Sequence, residues 1–203
     1  MGGIRLSTRV FDFKQALVIS TGTSANQAIG DILLANLPGS TRAIQANSRN
    51  DRSGVDWWLE MQSGDFLAVD CKIREEDPLP KFGKDDLALE TWSVVEKNVV
   101  GWTLDDSKRT DYVFWFWKNT GRWCVVPFLL LRRAFQLLQP EWSRQYQVAR
   151  QCTERRYHSE CIFVPRREIW RAIYRLAEGH SESLAQPKRD QGVLFSGVAG
   201  AGR

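Results

Sequence analysis

The stretch GVDWWLEMQSGDFLAVDCKIR, residues 54–74, decides how the central part of this chain folds. Apolar and polar side chains alternate over residues 55–61 and again over residues 66–73, which is the period of a β-strand. The turn-forming residues Gln62-Ser63-Gly64-Asp65 separate the two runs. We therefore predict two antiparallel strands joined as a hairpin.

This hairpin predicts a cluster of charged side chains on one face of the sheet. If its turn is centred on Ser63, Asp56 faces Asp70; if the turn is centred on Gly64, Asp56 faces Lys72. Both registers put the two acids and the lysine on one face. Neighbouring carboxylates raise each other's pKa, so this grouping is costly unless a cation completes it. Oxygen ligands suit a hard divalent cation such as Mg²⁺, whereas the alternative is that each acid is a surface residue on the wet face of the sheet.

A second Asp-x-Lys triplet, Asp106-Ser107-Lys108, serves as an internal comparison. It lies in the polar, turn-like stretch LDDSKRTD, without a strand on either side. The triplet Asp70-Cys71-Lys72 instead lies in a β-rich run that follows an acid-bearing strand. Its context therefore separates it from the second triplet.

Residues 54–74 resemble the core motif of the PD-(D/E)xK nuclease superfamily, in which an acid on one strand precedes an acid-x-lysine on the next. The resemblance covers about residues 25–130. It implies an α+β fold, restriction-endonuclease-like, with a central mixed β-sheet flanked by helices. It also implies that Asp56, Asp70 and the main-chain carbonyl of Cys71 hold Mg²⁺, with Mn²⁺ as a substitute. Lys72 would then orient or polarise the attacking water in a metal-dependent DNA endonuclease.

The resemblance is incomplete at the helix that precedes the first strand. Many members of the superfamily contribute a Glu from this helix, whereas the helix predicted at residues 23–36 offers only Gln27 and Asp31. Asp31 could replace the Glu, the site could work with fewer ligands, or activity could have been lost. Glu90, on a strand predicted at residues 87–95 and expected to neighbour the hairpin, is a further candidate catalytic carboxylate, as a ligand or its support; the alternative is an ordinary surface position. A catalytically inactive module that binds nucleic acid or a protein partner is the competing function.

A basic segment follows the predicted nuclease motif. Between residues 132 and 175 there are ten arginines, no lysine and four acids. A guanidinium can hold two phosphate oxygens, so this segment predicts contacts with DNA, either double-stranded or branched, although a solvated helix face is the alternative. The residues predicted to bind nucleic acid are Lys108, Arg109, Arg132, Arg133, Arg144, Arg150, Arg155, Arg156, Arg166 and Arg167.

The remaining sequence predicts further elements of one domain, residues 1–178, whose basic portion is residues 132–178. A second hairpin is expected at residues 112–117 and 122–126, and a first strand at residues 41–48. Helices are expected at residues 128–138, ending before Pro140, and at residues 169–177. Residues 179–203 are polar and then rich in Gly and Ala, which predicts a flexible tail.

The composition bears on compartment and partners. The sequence has no apolar run of membrane-spanning length and no signal-peptide pattern, so we expect a cytoplasmic protein that does not bind membranes. Its four cysteines form no C-x-x-C pair, and the spacing of Cys152, His158 and Cys161 fits no standard zinc module. A homodimer remains possible, because two sites would help to cut both DNA strands.

Overall fold

The computed structural model describes residues 27–47, 53–152 and 157–179. The predicted tail lies outside the described residues except for Gly179. The elements in chain order are α1 (Gln27–Asn36), β1 (Ser40–Gln45), β2 (Trp57–Met61), β3 (Phe66–Arg74), α2 (Pro78–Phe82), β4 (Asp86–Val94), a 3-10 turn (Val95–Lys97), β5 (Val99–Val100), β6 (Tyr112–Trp117), β7 (Trp123–Pro127), α3 (Phe128–Gln145), β8 (Val148–Cys152), β9 (His158–Pro165) and α4 (Arg166–Ala177). The fold is α+β, as predicted.

The larger sheet has five strands in the order β1-β2-β3-β6-β7. The β2–β3 hairpin is antiparallel and pairs Trp57 with Val69, which places its turn on Ser63, the first of the two predicted registers. β3 and β6 run parallel, whereas β6 and β7 form the second predicted hairpin. The sheet is therefore mixed, and β3 is its central strand.

The smaller sheet has four antiparallel strands in the order β5-β4-β9-β8. β4 alternates as predicted, since Leu87, Leu89 and Thr91 are buried while Glu90 lies on the other face. However, β4 pairs with β5 and β9, so the expectation that Glu90 lies on a neighbour of β3 was wrong. Strand pairing between distant segments depends on tertiary packing, which the alternation of a single strand does not report.

Both faces of the larger sheet are covered. One face packs against α1, where Ile29 and Leu33 belong to the same buried apolar cluster as Val69 and Cys71. The opposite face belongs to a second apolar core, built with residues of the smaller sheet, α3 and α4. Asp70 and Lys72 point towards this second core, because side chains alternate along β3. They do not lie on the wet face of an open sheet, and Asp70 is only 5% exposed.

The carboxyl-terminal part departs from the prediction in two places. α3 does not end before Pro140 but continues to Gln145. Pro140 is exposed, so the carbonyl left without its helical partner can be hydrated, while Trp142 beyond it is buried and packs against Phe135. The Arg-rich segment also contains β8 and β9, which were not predicted. Among the described residues no helix is long and apolar enough to cross a membrane.

Candidate functional site

The β2–β3 hairpin brings Asp56 alongside the centre of β3. The Asp56 main-chain N–H donates to the carbonyl of Val69 at 2.9 Å, and the Asp56 carboxylate accepts the N–H of Cys71 at 2.6 Å. Burial raises the pKa of the Cys71 thiol, and the carboxylates of Asp56 and Asp70 raise it further. The two predicted acids therefore both lie next to Cys71, as a hairpin with its turn centred on Ser63 requires.

Asp70 and Lys72 form a tight ion pair on the inner face of β3. The Lys72 Nζ lies 2.7 Å from both carboxylate oxygens of Asp70, and the two side chains are 19% and 7% exposed. A carboxylate has about four lone-pair sites, and this ammonium is the one hydrogen-bond donor to Asp70 within the described part of the chain. The pair is charge-compensated, yet Asp70 retains lone pairs that no other donor of the described residues fills.

An aromatic ring fixes the other side of the Lys72 ammonium. The indole of Trp102 lies 4.9 Å from the Lys72 Nζ, a distance at which a cation is attracted to the ring face. The main-chain N–H of Trp102 donates to the Glu90 carboxylate at 3.0 Å, and this carboxylate also accepts the Ser93 hydroxyl at 2.8 Å. Glu90 therefore acts on the site through Trp102. A side chain at Gly101 is excluded, because its Cβ would lie 2.3 Å from the Glu90 carbonyl oxygen.

The segment 101–111 places two of the predicted cationic residues beside the acid-bearing hairpin. The Arg109 N–H donates to the carbonyl of Ser53 at 2.8 Å, and the Lys108 side chain packs so closely on Gly54 that a Cβ there would meet it at 2.8 Å. Arg132, on α3, donates to the carbonyl of Asp105 at 3.4 Å. The second Asp-x-Lys triplet thus belongs to a loop that lies against the segment immediately before the hairpin.

The other predicted cationic residues are placed differently. Arg133 and Arg144 are exposed on α3, and Arg150 pairs with Glu160 on the smaller sheet. Arg167 is 82% exposed at the start of α4. Arg166 is engaged by Asp85, with its Nε 2.8 Å from the carboxylate, so a phosphate contact would compete with this pair. Arg155 and Arg156 lie outside the described residues.

Asp31 does not supply the missing helix carboxylate. It is exposed on α1 and accepts a hydrogen bond from Gln27 at 3.2 Å. α1 covers the face of the sheet opposite to Asp70 and Lys72. That possibility, raised by the sequence, is wrong.

The donor set at the hairpin consists of hard oxygens: two carboxylates and one main-chain carbonyl. Across residues 27–47, 53–152 and 157–179, no group of three or more His, Cys, Asp or Glu side chains is arranged to hold a metal ion. Mg²⁺ typically keeps several waters and is held by one or two carboxylates together with substrate phosphates. The residues therefore fit a sparsely ligated Mg²⁺, while a closed protein cage or a thiolate zinc site does not fit.

Sequence reasoning missed Trp102 and its connection to Lys72. The two residues are distant in the chain, and the contact exists because the 101–111 loop folds back onto β3. The one local signal is Gly101, since a glycine often marks a place where another backbone approaches closely.

Comparisons with protein families, curated proteins and solved structures return no match. The resemblance to the PD-(D/E)xK superfamily therefore rests on residues 54–74, and membership of the superfamily stays a prediction.

Proposed function

We propose that this protein is a metal-dependent DNA endonuclease that hydrolyses phosphodiester bonds at the β2–β3 hairpin. One observation carries the proposal: the hairpin register gathers Asp56, Asp70, the Cys71 carbonyl and Lys72 around one point of β3. An acid on one strand opposite an acid-x-lysine on the next is the arrangement from which the resemblance was drawn. The buried Asp70–Lys72 pair gives that arrangement a low-dielectric setting, in which charge stabilisation is strong.

Asp56, Asp70 and the Cys71 carbonyl would hold the Mg²⁺. When bound, the ion supplies Lewis-acid polarisation of the scissile phosphate and a lowered pKa for a coordinated water. Asp70 would then share its oxygens between the ion and Lys72. Its unfilled lone pairs make this sharing possible without breaking the ion pair.

Lys72 would offset the negative charge that builds up on the phosphate during hydrolysis. Its ammonium lies between Asp70 and the Trp102 ring, so its position is set from two sides. Glu90 holds the main chain of Trp102 and is therefore a positioning residue. No side chain has to form a covalent intermediate in this mechanism.

The DNA backbone would be held first by Lys108 and Arg109, which lie next to the hairpin, and by Arg132 behind the same loop. Contacts of this kind position the backbone without reading sequence. Replacing Lys108 and Arg109 by Ala should weaken binding to all DNA sequences alike. It should also reduce the slope of log affinity against log salt concentration by about two. Affinity that stays flat from low to moderate salt contradicts this groove assignment.

The proposal is tested by cleavage of duplex, branched and single-stranded DNA in the presence of Mg²⁺ or Mn²⁺. We expect metal-dependent products that disappear in EDTA and in the variants Asp70→Asn and Lys72→Ala. Cleavage that survives Lys72→Ala would point to another site or to a contaminating nuclease. Crystals soaked in Mn²⁺ should show the ion between Asp56 and Asp70.

A catalytically inactive module that binds nucleic acid or a protein partner is the second candidate. The closed Asp70–Lys72 pair and the exposed, distant Asp31 favour it, because both leave fewer carboxylates for a metal. This alternative predicts DNA binding that is unchanged by Mn²⁺ and no cleavage of any substrate. The Mn²⁺ soak separates the two candidates directly.

A further inference from the structure

A cleft of about 430 Å³ opens beside the carboxyl-terminal end of β3, next to the Asp70–Lys72 ion pair. On the neighbouring strand β6, Trp115 lies opposite Lys72 and Trp117 lies opposite Arg74. Arg74 and both tryptophans line the cleft. Lys72 and Arg74 share a face of β3 and are separated by two residues, a distance of about 7 Å along a strand. The cleft therefore adjoins the candidate catalytic pair on the same face of the sheet.

Four of the twelve residues that line this cleft are aromatic. Trp115 and Trp117 are almost completely buried, so they present only edges to the space. Phe163 from β9 and Phe82 from α2 complete the aromatic lining. Phe82 is 62% exposed, which leaves its ring available to a flat ligand.

Charged groups of both signs lie around these rings. Arg74 and Lys84 line the cleft, and the Lys81 ammonium lies 5.2 Å from the Phe82 ring. Three acids, Glu76, Asp77 and Asp86, also line the cleft, and Asp77 is already neutralised by two short hydrogen bonds from Arg122. Asp86, together with the amide of Gln147, provides hydrogen-bonding groups for the edge of a heterocycle.

Aromatic rings flanked by cations are the means by which proteins bind single-stranded nucleic acid, because bases stack on the rings while cations hold the phosphates. In a duplex both faces of each base are covered by its neighbours, so a paired base cannot reach Phe82 unless it leaves the stack. The cleft volume lies in the range of small-ligand sites, which suits one nucleotide and excludes a duplex.

We propose that this cleft binds one unpaired nucleotide of a DNA strand, with its base against Phe82 and Phe163 and its phosphate near Arg74 and Lys84. If the protein is the proposed nuclease, this cleft also specifies its substrate: a single strand, or the unpaired part of a branched DNA. This part of the inference rests on the proposed function. Binding itself needs neither the metal nor cleavage.

Isothermal titration calorimetry in EDTA tests the proposal with a mixed-sequence single-stranded DNA hexamer and the blunt duplex of the same sequence. We expect the hexamer to bind more tightly than the duplex, and Phe82→Ala to weaken hexamer binding about tenfold. Phe66→Ala is the matched control, because Phe66 is also exposed but lies at the β2–β3 turn outside the cleft lining. It should leave binding unchanged.

Lys84→Ala provides a second readout that does not depend on the aromatic rings. For hexamer binding, it should reduce the slope of log affinity against log salt concentration by about one. Lys97→Ala, outside the cleft lining, should leave this slope unchanged. Equal affinity for hexamer and duplex, or wild-type hexamer affinity in Phe82→Ala, would overturn the proposal.

The two proposals fail separately. Phe82-dependent binding of the hexamer without metal-dependent cleavage would leave the cleft assignment standing and remove the nuclease. Lys72-dependent cleavage with unchanged binding in Phe82→Ala would do the reverse.

Discussion

Asp70 and Asp77 are both buried carboxylates, but their hydrogen-bond environments differ. The Asp77 carboxylate accepts bonds from the Leu79 N–H, the Thr120 hydroxyl and two nitrogens of Arg122. Asp70, in the part of the chain that the structure describes, has only the Lys72 ammonium. A saturated carboxylate holds the fold together, whereas a carboxylate with unfilled lone pairs can also bind a cation.

Arg122 links two acids and an aromatic ring at the start of β7. Besides Asp77, it contacts the carboxylate of Asp85, and its guanidinium lies 4.0 Å from the Trp117 ring. Asp85 pairs in turn with Arg166 at the start of α4. This network joins the turn before α2, the β6–β7 hairpin and α4, so its function is structural.

The largest effect should come from Arg122→Ala. It leaves the fully buried Asp77 carboxylate without its cation, and we expect the free energy of unfolding to fall by about 3–5 kcal/mol. Urea denaturation measures the loss, with Arg133→Ala as an exposed control that should change stability by less than about 0.5 kcal/mol. A loss below about 1 kcal/mol for Arg122→Ala would mean that the network contributes little.

Lys72→Met should have a smaller effect on stability and a distinctive response to metal. It keeps the apolar stem but removes the ammonium, and we expect a loss of about 2 kcal/mol, because Asp70 loses a charged hydrogen-bond partner. Mn²⁺ should then raise the melting temperature of this variant more than that of the wild type, since the ion no longer has to share the Asp70 oxygens with a second cation.

Asp70→Asn/Lys72→Met is the matched control for this metal response. The double variant lacks the carboxylate and should not respond to Mn²⁺. If Lys72→Met and the double variant respond alike, Asp70 is not a metal ligand.

The pH dependence of stability should reveal Asp77. Hydrogen bonds from Arg122 hold the pKa of the Asp77 carboxyl at about 2, below its ordinary value. A carboxyl with a depressed pKa in the folded state contributes stability above its unfolded pKa, and this contribution is lost as the pH falls towards 2. Urea midpoints measured between pH 5 and about 2 should therefore fall, and Asp77→Asn should flatten this part of the profile. An unchanged profile in Asp77→Asn would assign the acid sensitivity to other groups.

Trp102→Phe should produce the smallest change in stability among these variants, because it keeps an aromatic ring beside the Lys72 ammonium. Trp102→Ala also loses the packing of the indole against Trp115 and Phe128, so it should lower stability as well as activity. We expect cleavage to slow about tenfold with little change in substrate KM, and Trp102→Phe to recover most of the rate, because a phenyl ring keeps the cation–π contact. A parallel change in Glu90→Gln would support its role in positioning Trp102, whereas an effect on KM alone would contradict it.

The second Asp-x-Lys triplet shows how far local sequence can be used. The composition of residues 104–111 correctly predicted a turn and not a strand. Asp105 accepts hydrogen bonds from Ser107 within this turn. Its position against Gly54 did not follow from the sequence. Loop docking depends on long-range contacts, and the sequence of the loop does not name its partner.

The sequence by itself determined the β2–β3 hairpin and the common face of Asp70 and Lys72, and it limited the register to two choices, because a strand has a fixed two-residue period and its turn residues are local. It also determined that Glu90 lies opposite Leu87 and Leu89. Only the tertiary structure decided that β4 joins a separate sheet, that Trp102 covers Lys72, and that Asp31 lies across the central sheet from the site. Those relations depend on how distant segments pack, and the free energy of such packing comes from surfaces that no single stretch of sequence contains.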